Sequence, residues 1–464
     1  VPALDLNEVV RATGGRIARG SADRKVEGFS IDTRELRRGG LFFALKGSRT
    51  DGHAYLADAL RVGAAAAIVS QEVAEDRDAP EILIRVEDVE DALTRCGALA
   101  REKCRARFVA VTGSTGKTTT KELIAAGLGA SRRVHRTARS FNNHLGVPLS
   151  LLACPPDAEY AVLELGMSAP GEIAALAALA RPEIGLVTNV CPAHLEFFDS
   201  IDDIAAAKGE LFASLGDDDV SVVNLDDPQV RVQAARHAGR RVTFGRQSSC
   251  DLVLESVSDR FVPGAGLGFR YDGRSRRVEL NLGGAHNARN ALAALATVAA
   301  AGEDLEAAAG AMEKVEPGPG RGRRHHLPQD VIVVDDSYNS SPEALAAVLD
   351  TMRHSDPPGR KILVMGDMLE LGPKEAGFHR DAGRKAARAG VQILIGVGPK
   401  AKLALETARV AGVPETRQAR DAAAAAEDLP ALVRPGDLVV VKGSRRVALE
   451  RVVASLLEAQ VEAN

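Results

Sequence analysis

The stretch Val109-Ala110-Val111-Thr112-Gly113-Ser114-Thr115-Gly116-Lys117-Thr118-Thr119 constrains this chain more than any other. An apolar run with β-branched residues feeds a loop of small residues, and Gly116-Lys117-Thr118 then opens a helical stretch. That is the layout of a phosphate-binding loop. Small residues let backbone N–H groups wrap a polyphosphate, the lysine reaches the outer phosphates, and the threonine hydroxyl can hold Mg²⁺. A helix N-terminus adds its own partial positive charge. Gly113, Ser114, Thr115, Gly116, Lys117, Thr118 and Thr119 are therefore the expected nucleotide contacts. The strict pattern has glycine where this chain has Val111, and the alternative is a plain Gly-rich turn. A strand before the loop and a helix after it favour the nucleotide.

A chain of 464 residues is long enough for roughly three domains of ~150 residues. Its formal charge of −4 gives no electrostatic case for nucleic acid or an anionic membrane surface. Aromatic residues are only 3% and Trp is absent, so base-stacking platforms are not expected. The five cysteines, at 96, 104, 154, 191 and 250, form no C-x-x-C pair and read as reduced thiols rather than a disulfide or zinc framework. No basic-then-apolar leader and no apolar run near ~18 residues is visible, which leads us to expect a soluble, cytoplasmic protein without membrane insertion.

Three blocks follow from composition. Residues 1–105 hold short strand-like pieces (Leu41–Leu45, Ala66–Val69, Ile82–Ile84), and the charged cluster Arg101–Arg107 reads as a linker. In residues 106–318, apolar runs at 108–112, 161–165, 184–188 and 220–223 alternate with Ala-rich helical stretches, which predicts an α/β architecture with a mostly parallel sheet. Residues 251–283 alternate differently and predict an antiparallel flap. Glu316-Pro317-Gly318-Pro319-Gly320-Arg321-Gly322 is the clearest linker, because Pro and Gly interrupt helix and ladder alike. Residues 319–464 again alternate strands and helices, the pattern of a small doubly wound, Rossmann-like domain. That block lacks a G-x-G-x-x-G after its first strand and is not read as a dinucleotide binder.

Polar residues at the carboxyl ends of these strands mark where a ligand gathers in an open α/β sheet. Glu164 ends the strand at 161–165 beside the phosphate loop and can bind Mg²⁺; the alternative is a solvated strand-end acid. His194 and Glu196 follow the strand at 186–190, where a lone histidine is equally often structural. Lys208 lies in an Ala-rich helix and by spacing alone reads as a solvated or snorkelling side chain. Asn287 and Asn290 stand one turn apart and can offer a donor and an acceptor to an adenine edge, with helix capping as the alternative for one of them. In the third block, Asp335–Asn339, Gly366–Gly372 and Lys442–Arg445 are polar loops on one sheet edge.

Together, Thr112–Thr119, Asn142-Asn143, Glu164, His194, Lys208, His286-Asn287-x-x-Asn290 and Arg321 resemble the Mur ligase family, ATP-dependent amide-forming enzymes of peptidoglycan precursor synthesis. The resemblance covers essentially the whole chain. Ser30–Arg34, Leu41–Gly47 with Asp51-Gly52-His53, Asp336–Asn339 and Gly366–Gly372 resemble the branch that adds D-alanyl-D-alanine to UDP-N-acetylmuramoyl-tripeptide. The sister branch that adds diaminopimelate or lysine carries an Asp-Asn-Pro-Arg signature, and no Asp-Asn-Pro occurs here. Folylpolyglutamate synthase is a more distant relative, and a module that merely holds ATP is an alternative of another class.

The resemblance implies three domains: an N-terminal UDP-substrate domain (1–105), a central ATP-binding domain (106–318), and a C-terminal domain (319–464) closing over ATP and the acceptor. It implies ATP as the nucleotide, two Mg²⁺ ions and a carbamylated Lys208, with Thr118 and Glu164 on the first ion and His194, Lys208 and Glu164 on the second. Lys117, Glu164, His194 and Lys208 are the implied catalytic set. Asn287 and Asn290 would contact adenine, and Arg321 and Asp336 would reach the nucleotide on closure. Ser30, Thr33, Arg34, Asn142 and Asn143 would serve the UDP-substrate, and Asn339 the acceptor dipeptide. A monomer is expected.

Overall fold

Apolar runs too short for helices and buried on both faces form strands here, as in any parallel sheet covered by helices. The segment Arg107–Thr112 is buried at every residue but the first and lies inside a nine-stranded sheet. The computed structural model describes residues 3–48, 50–75, 77–192 and 196–462. From one edge the sheet runs Val134–Arg136, Tyr160–Glu164, Arg107–Thr112, Ile184–Val187, Val220–Asn224, Arg240–Gly245 and Leu252–Ser258, all parallel. Gly266–Tyr271 and Arg274–Glu279 then complete it antiparallel.

The expected flap at 251–283 is therefore the far end of the same sheet. Leu252, Leu254, Leu267, Phe269 and Val278 enter the core that also holds the helices Lys117–Gly129 and Ala285–Ala301. The second helix is Ala-rich and buried nearly all round, which lets it sit close against both sheet and neighbouring helix.

The N-terminal block forms a five-stranded sheet in the order Arg16–Arg19, Ile82–Arg85, Ala66–Val69, Leu41–Phe43, Phe29–Ser30; only the first pair is antiparallel. The helix Val89–Lys103 takes in the first three residues of the cluster read as a linker and the next strand takes its last, leaving Cys104-Arg105-Ala106 as the joint. Packing explains the correction. Arg101 Nε donates to the Ala180 carbonyl at 2.6 Å and its guanidinium lies 3.9 Å over the Phe108 ring, so its charge is spent on docking rather than solvation.

The C-terminal sheet has six strands in the order Arg323–Leu327, Val331–Asp336, Leu438–Lys442, Lys361–Gly366, Ile393–Val397, Glu415–Ala419. Its first pair is antiparallel and the others are parallel. Residues 316–322 carry no helix or strand. The Gly320 N–H donates to Asp335 Oδ2 at 3.1 Å and the Gly322 N–H to the Asp335 carbonyl at 2.8 Å, anchoring that segment to the third sheet. Among the described residues no helix is long and apolar enough to cross a membrane.

Candidate active site

The strand Arg107–Thr112 stops because the next residues take conformations only small side chains tolerate. Gly113 has φ 148° and Gly116 has φ 77°, and Gly116 caps the helix that starts at Lys117. A Cβ on Gly113 would fall 1.9 Å from Thr188 Oγ1, and one on Gly116 would fall 2.4 Å from Asn290 Oδ1. The neighbouring strand end fixes the loop. The Ser114 N–H donates to the Asn189 carbonyl at 2.9 Å, the Thr115 N–H to Asn189 Oδ1 at 3.0 Å, and Thr188 Oγ1 donates to the Thr115 carbonyl at 2.8 Å. Lys117 Nζ folds back on the loop, donating to the Gly113 carbonyl at 2.6 Å. Burial, helped by the nearby Arg321 charge, lowers its pKa, and Glu164 opposes the shift.

Glu164 is 1% exposed, which removes the reading of a solvated strand-end acid. Its Oε2 accepts from Thr118 Oγ1 at 2.8 Å and its Oε1 from Asn142 Nδ2 at 2.8 Å. Lys121 Nζ lies 3.9 Å from Oε2 while donating to the Thr137 and Arg139 carbonyls at 2.8 and 2.7 Å. A buried carboxylate needs such partners to remain charged.

Lys208 is 2% exposed, so the solvated reading fails for it too. Burial, reinforced by the Lys117 charge, drives its pKa well below 10.5. Among the described residues no hydrogen bond or ion pair reaches its amine. His194 lies outside the described residues. Among those described, no group of three or more His, Cys, Asp or Glu side chains is placed to hold a metal.

A cleft of about 640 Å³ joins the phosphate loop to the third sheet. Ser114–Thr119, Asn142, Glu164, Asn287 and Asn290 line one side, and Arg321, Asp336, Tyr338, Asn339, Lys442 and Arg445 the other. Asn287 Nδ2 donates to the Gly283 carbonyl at 2.7 Å, and its Oδ1 accepts from Asn290 Nδ2 at 3.1 Å, so the pair acts as one unit on the cleft wall. Arg321 bridges the two sides. It donates to Ser140 Oγ at 2.9 Å and stacks 4.2 Å over the Tyr338 ring. Asp336 Oδ2 accepts from Lys442 Nζ at 2.7 Å, and the same ammonium donates to the Asn339 carbonyl at 2.9 Å.

The remaining sequence-derived residues lie apart from that cleft. Asn143 Oδ1 accepts from the Gly146 N–H at 2.9 Å, at the start of the helix Gly146–Leu152. Ser30 Oγ donates to the Asp32 carbonyl at 2.8 Å, Arg34 pairs with Asp32 at 2.6 Å, and partly exposed Thr33 lies between them. Asp367 is spent on structure, since its Oδ1 accepts from the Lys400 and Ala401 N–H groups ahead of the helix Ala401–Val410.

Sequence reasoning missed Ser140, Lys121, Asn189 and Glu343. The last lines the cleft with an Oε2 that finds no hydrogen-bond partner among the described residues, and burial raises its pKa. Each is an ordinary residue in ordinary local sequence; Lys121, one helical turn beyond Lys117, reads as a solvated lysine. Only the three-dimensional neighbourhood distinguishes them.

Three family descriptions match consecutive parts of the chain. Residues 25–102 match the Mur ligase family, catalytic domain; 111–298 the Mur ligase middle domain; and 320–445 the Mur ligase, glutamate ligase domain. UDP-N-acetylmuramoyl-tripeptide--D-alanyl-D-alanine ligase of Escherichia coli is 35% identical over 441 residues, spanning 94% of this chain and 95% of that one. Among solved structures, MurF of Acinetobacter baumannii superposes with a TM-score of 0.86 at 28% identity, over 99% of each chain. The MurF ligase of Thermotoga maritima in complex with ADP gives 0.80 at 30% identity, over 95% of this chain and 99% of that one.

Proposed function

This chain belongs to the Mur ligase family, and on that premise we propose that it joins D-alanyl-D-alanine to UDP-N-acetylmuramoyl-tripeptide, converting ATP to ADP and phosphate. The observation that carries the reading is the cleft in which the phosphate loop and the buried Glu164 face Arg321, Asp336 and Asn339 of the C-terminal block. Near-full-length similarity to ligases of that name supports the substrates.

A carboxylate does not acylate an amine at neutral pH, because hydroxide is a poor leaving group. In the proposed reaction the tripeptide's terminal carboxylate oxygen attacks the γ-phosphorus of ATP and ADP departs. The dipeptide amine then attacks the acyl phosphate carbon, loses a proton, and phosphate leaves. The chain's own task is positioning and charge neutralisation. The N–H groups of residues 113–119 wrap the phosphates, and Lys117 exchanges its loop carbonyls for phosphate oxygens. Asn287 and Asn290 receive the adenine, while Arg321 and Asp336 approach the nucleotide from the third domain. Ser30, Thr33, Arg34, Asn142 and Asn143 serve the UDP-substrate, and Asn339 the acceptor.

The donor set fits magnesium. Thr118 and Glu164 are hard oxygen donors held 2.8 Å apart beside the phosphate loop, and Mg²⁺ takes one or two carboxylates together with phosphate oxygens. The ions, when bound, neutralise charge on the phosphates. Lys208 fits carbamylation: a buried amine kept neutral is the form that adds CO₂, and the product is an anionic oxygen ligand where an ammonium would repel a cation. Thr118 and Glu164 would hold one ion, and Glu164, His194 and carbamylated Lys208 the second. We further propose domains at 1–105, 106–318 and 319–464, and a cytoplasmic monomer.

Phosphate release with UDP-N-acetylmuramoyl-tripeptide tests the function. Turnover dependent on D-alanyl-D-alanine supports it. Turnover with diaminopimelate or lysine on the dipeptide substrate instead would assign the chain to the sister branch.

A further inference from the structure

Outside the cleft, two nucleophilic side chains lie in contact. Cys104 Sγ and Cys154 Sγ are 3.3 Å apart, although 50 positions separate them in sequence. Neither belongs to the nucleotide site. Cys104 follows the helix Val89–Lys103 in the three-residue joint that enters the strand Arg107–Thr112. Cys154 follows the helix Gly146–Leu152 and packs in the core of the central sheet.

That second helix also serves the N-terminal block. Leu152 is buried in the N-terminal core, and Leu145 and Leu149 pack against it. The sulfur contact therefore sits where the first and second sheets are tied together.

The pair is asymmetric in a way that suits stepwise oxidation. Cys154 is 2% exposed, whereas Cys104 is partly open to solvent. Cys104 is pulled below its ordinary pKa, first by its hydrogen bond with Cys154, with the Arg101 charge contributing, while Cys154 is pushed up by the same contact and by burial. The accessible sulfur, near the Arg101 charge, is the one peroxide reaches, and the resolving thiol waits behind it.

We propose that Cys104 and Cys154 are a modification site, a dithiol that peroxide converts to an intramolecular disulfide clamping the joint between the N-terminal and central domains. The Cys104 thiolate attacks one peroxide oxygen, the O–O bond breaks, and the departing hydroxide takes up a proton to leave water and a sulfenic acid on Cys104. Cys154 sulfur then attacks the Cys104 sulfur, the S–O bond breaks, and a second water leaves with the Cys154 proton. Two thiols and one hydrogen peroxide thus give one disulfide and two waters.

The remaining cysteines do not compete for this pairing. Cys96 and Cys191 are each pushed up to about 12 and Cys250 to about 11, in every case chiefly by burial, so none supplies a thiolate near neutrality.

The test uses the full-length reduced protein exposed to hydrogen peroxide, quenched, and mapped by peptide mass spectrometry without reductant. Loss of two of the five titratable thiols, a Cys104–Cys154 linked peptide and recovery with dithiothreitol are expected. Cys154→Ser should instead accumulate a sulfenic acid at Cys104 that a cyclic diketone traps, and Cys104→Ser should form no linked peptide. Retention of all five thiols, or linkage to another cysteine, overturns the proposal. Hydrogen exchange at 103–107 checks the clamp. Oxidation should slow it several-fold in the wild type and leave Cys104→Ser unchanged, and unslowed exchange in a fully cross-linked sample would remove the clamping role.

Discussion

Thr118 Oγ1 donates to Glu164 Oε2 at 2.8 Å, linking the first turn of the phosphate-loop helix to the end of the adjacent strand. Asn142 holds the other carboxylate oxygen, and Lys121 stands 3.9 Å from the first. A carboxylate so enclosed is fixed in direction and exchanges partners only with something that offers it more charge. Magnesium beside a triphosphate is such a partner.

Glu164→Gln keeps the shape and removes the charge. Turnover should fall by about 10² to 10³, the range found when one preorganised electrostatic contact is lost, and the Mg²⁺ concentration for half-maximal rate should rise. Steady-state kinetics over a magnesium titration reads both. A rate and magnesium requirement like those of the wild type would exclude Glu164 as a metal ligand.

Gly113→Ala places a methyl group 1.9 Å from Thr188 Oγ1 at a φ of 148°. The loop must deform, so ATP affinity should drop at least roughly tenfold, about 1.4 kcal/mol. UDP-substrate affinity should fall less, since Ser30 lies on a separate sheet and Arg34 in the turn that follows it. Calorimetry with each ligand separates the two, and equal losses would contradict the division between domains.

The strand, small-residue loop and helix at 107–129 were legible because a β-branched run, small residues and Lys-Thr sit next to one another in sequence. Strands with continuous apolar runs, such as Lys361–Gly366 and Leu438–Lys442, were legible for the same reason. Glu415–Ala419 was not, since an edge strand reading Glu-Thr-Arg-Gln-Ala has no apolar signal and exists through its neighbour Ile393–Val397. The charged cluster at 101–107 misled because Arg101 earns its place through Phe108 and Ala180, contacts invisible locally. Ser140 gave no local signal: it enters the site beside Thr118 and through Arg321, which reaches it across 181 positions.

Lys208 should make stability depend on pH with a definite sign. Its folded pKa lies well below 10.5, so between that value and 10.5 the unfolded chain binds more protons than the native one. Stability of the uncarbamylated protein therefore rises with pH across that window. Lys208→Met should be more stable than the wild type near neutrality in CO₂-depleted buffer, with the difference closing toward pH 10.5. Denaturant melts at several pH values would show this, and a pH-independent difference would contradict it. Lys208→Ala should lose activity and regain part of it with short carboxylic acids.

Arg321 joins the third domain to the central one through Ser140 and the Tyr338 ring. Arg321→Ala should lower kcat/KM for ATP by roughly tenfold to a hundredfold, the scale of one charged hydrogen bond. Arg321→Lys, which keeps the charge without the planar stack, should fall between. Scattering with nucleotide and UDP-substrate present should show less compaction for Arg321→Ala than for the wild type; equal compaction would remove Arg321 from the closing contact.

The most direct measurement follows an oxygen atom. With ¹⁸O in the terminal carboxylate of UDP-N-acetylmuramoyl-tripeptide, ATP and D-alanyl-D-alanine, one labelled oxygen should appear in each released phosphate as the amide forms. Amide formation with the label wholly absent from phosphate would mean that the carboxylate never attacked the nucleotide, and the account of this cleft would be wrong.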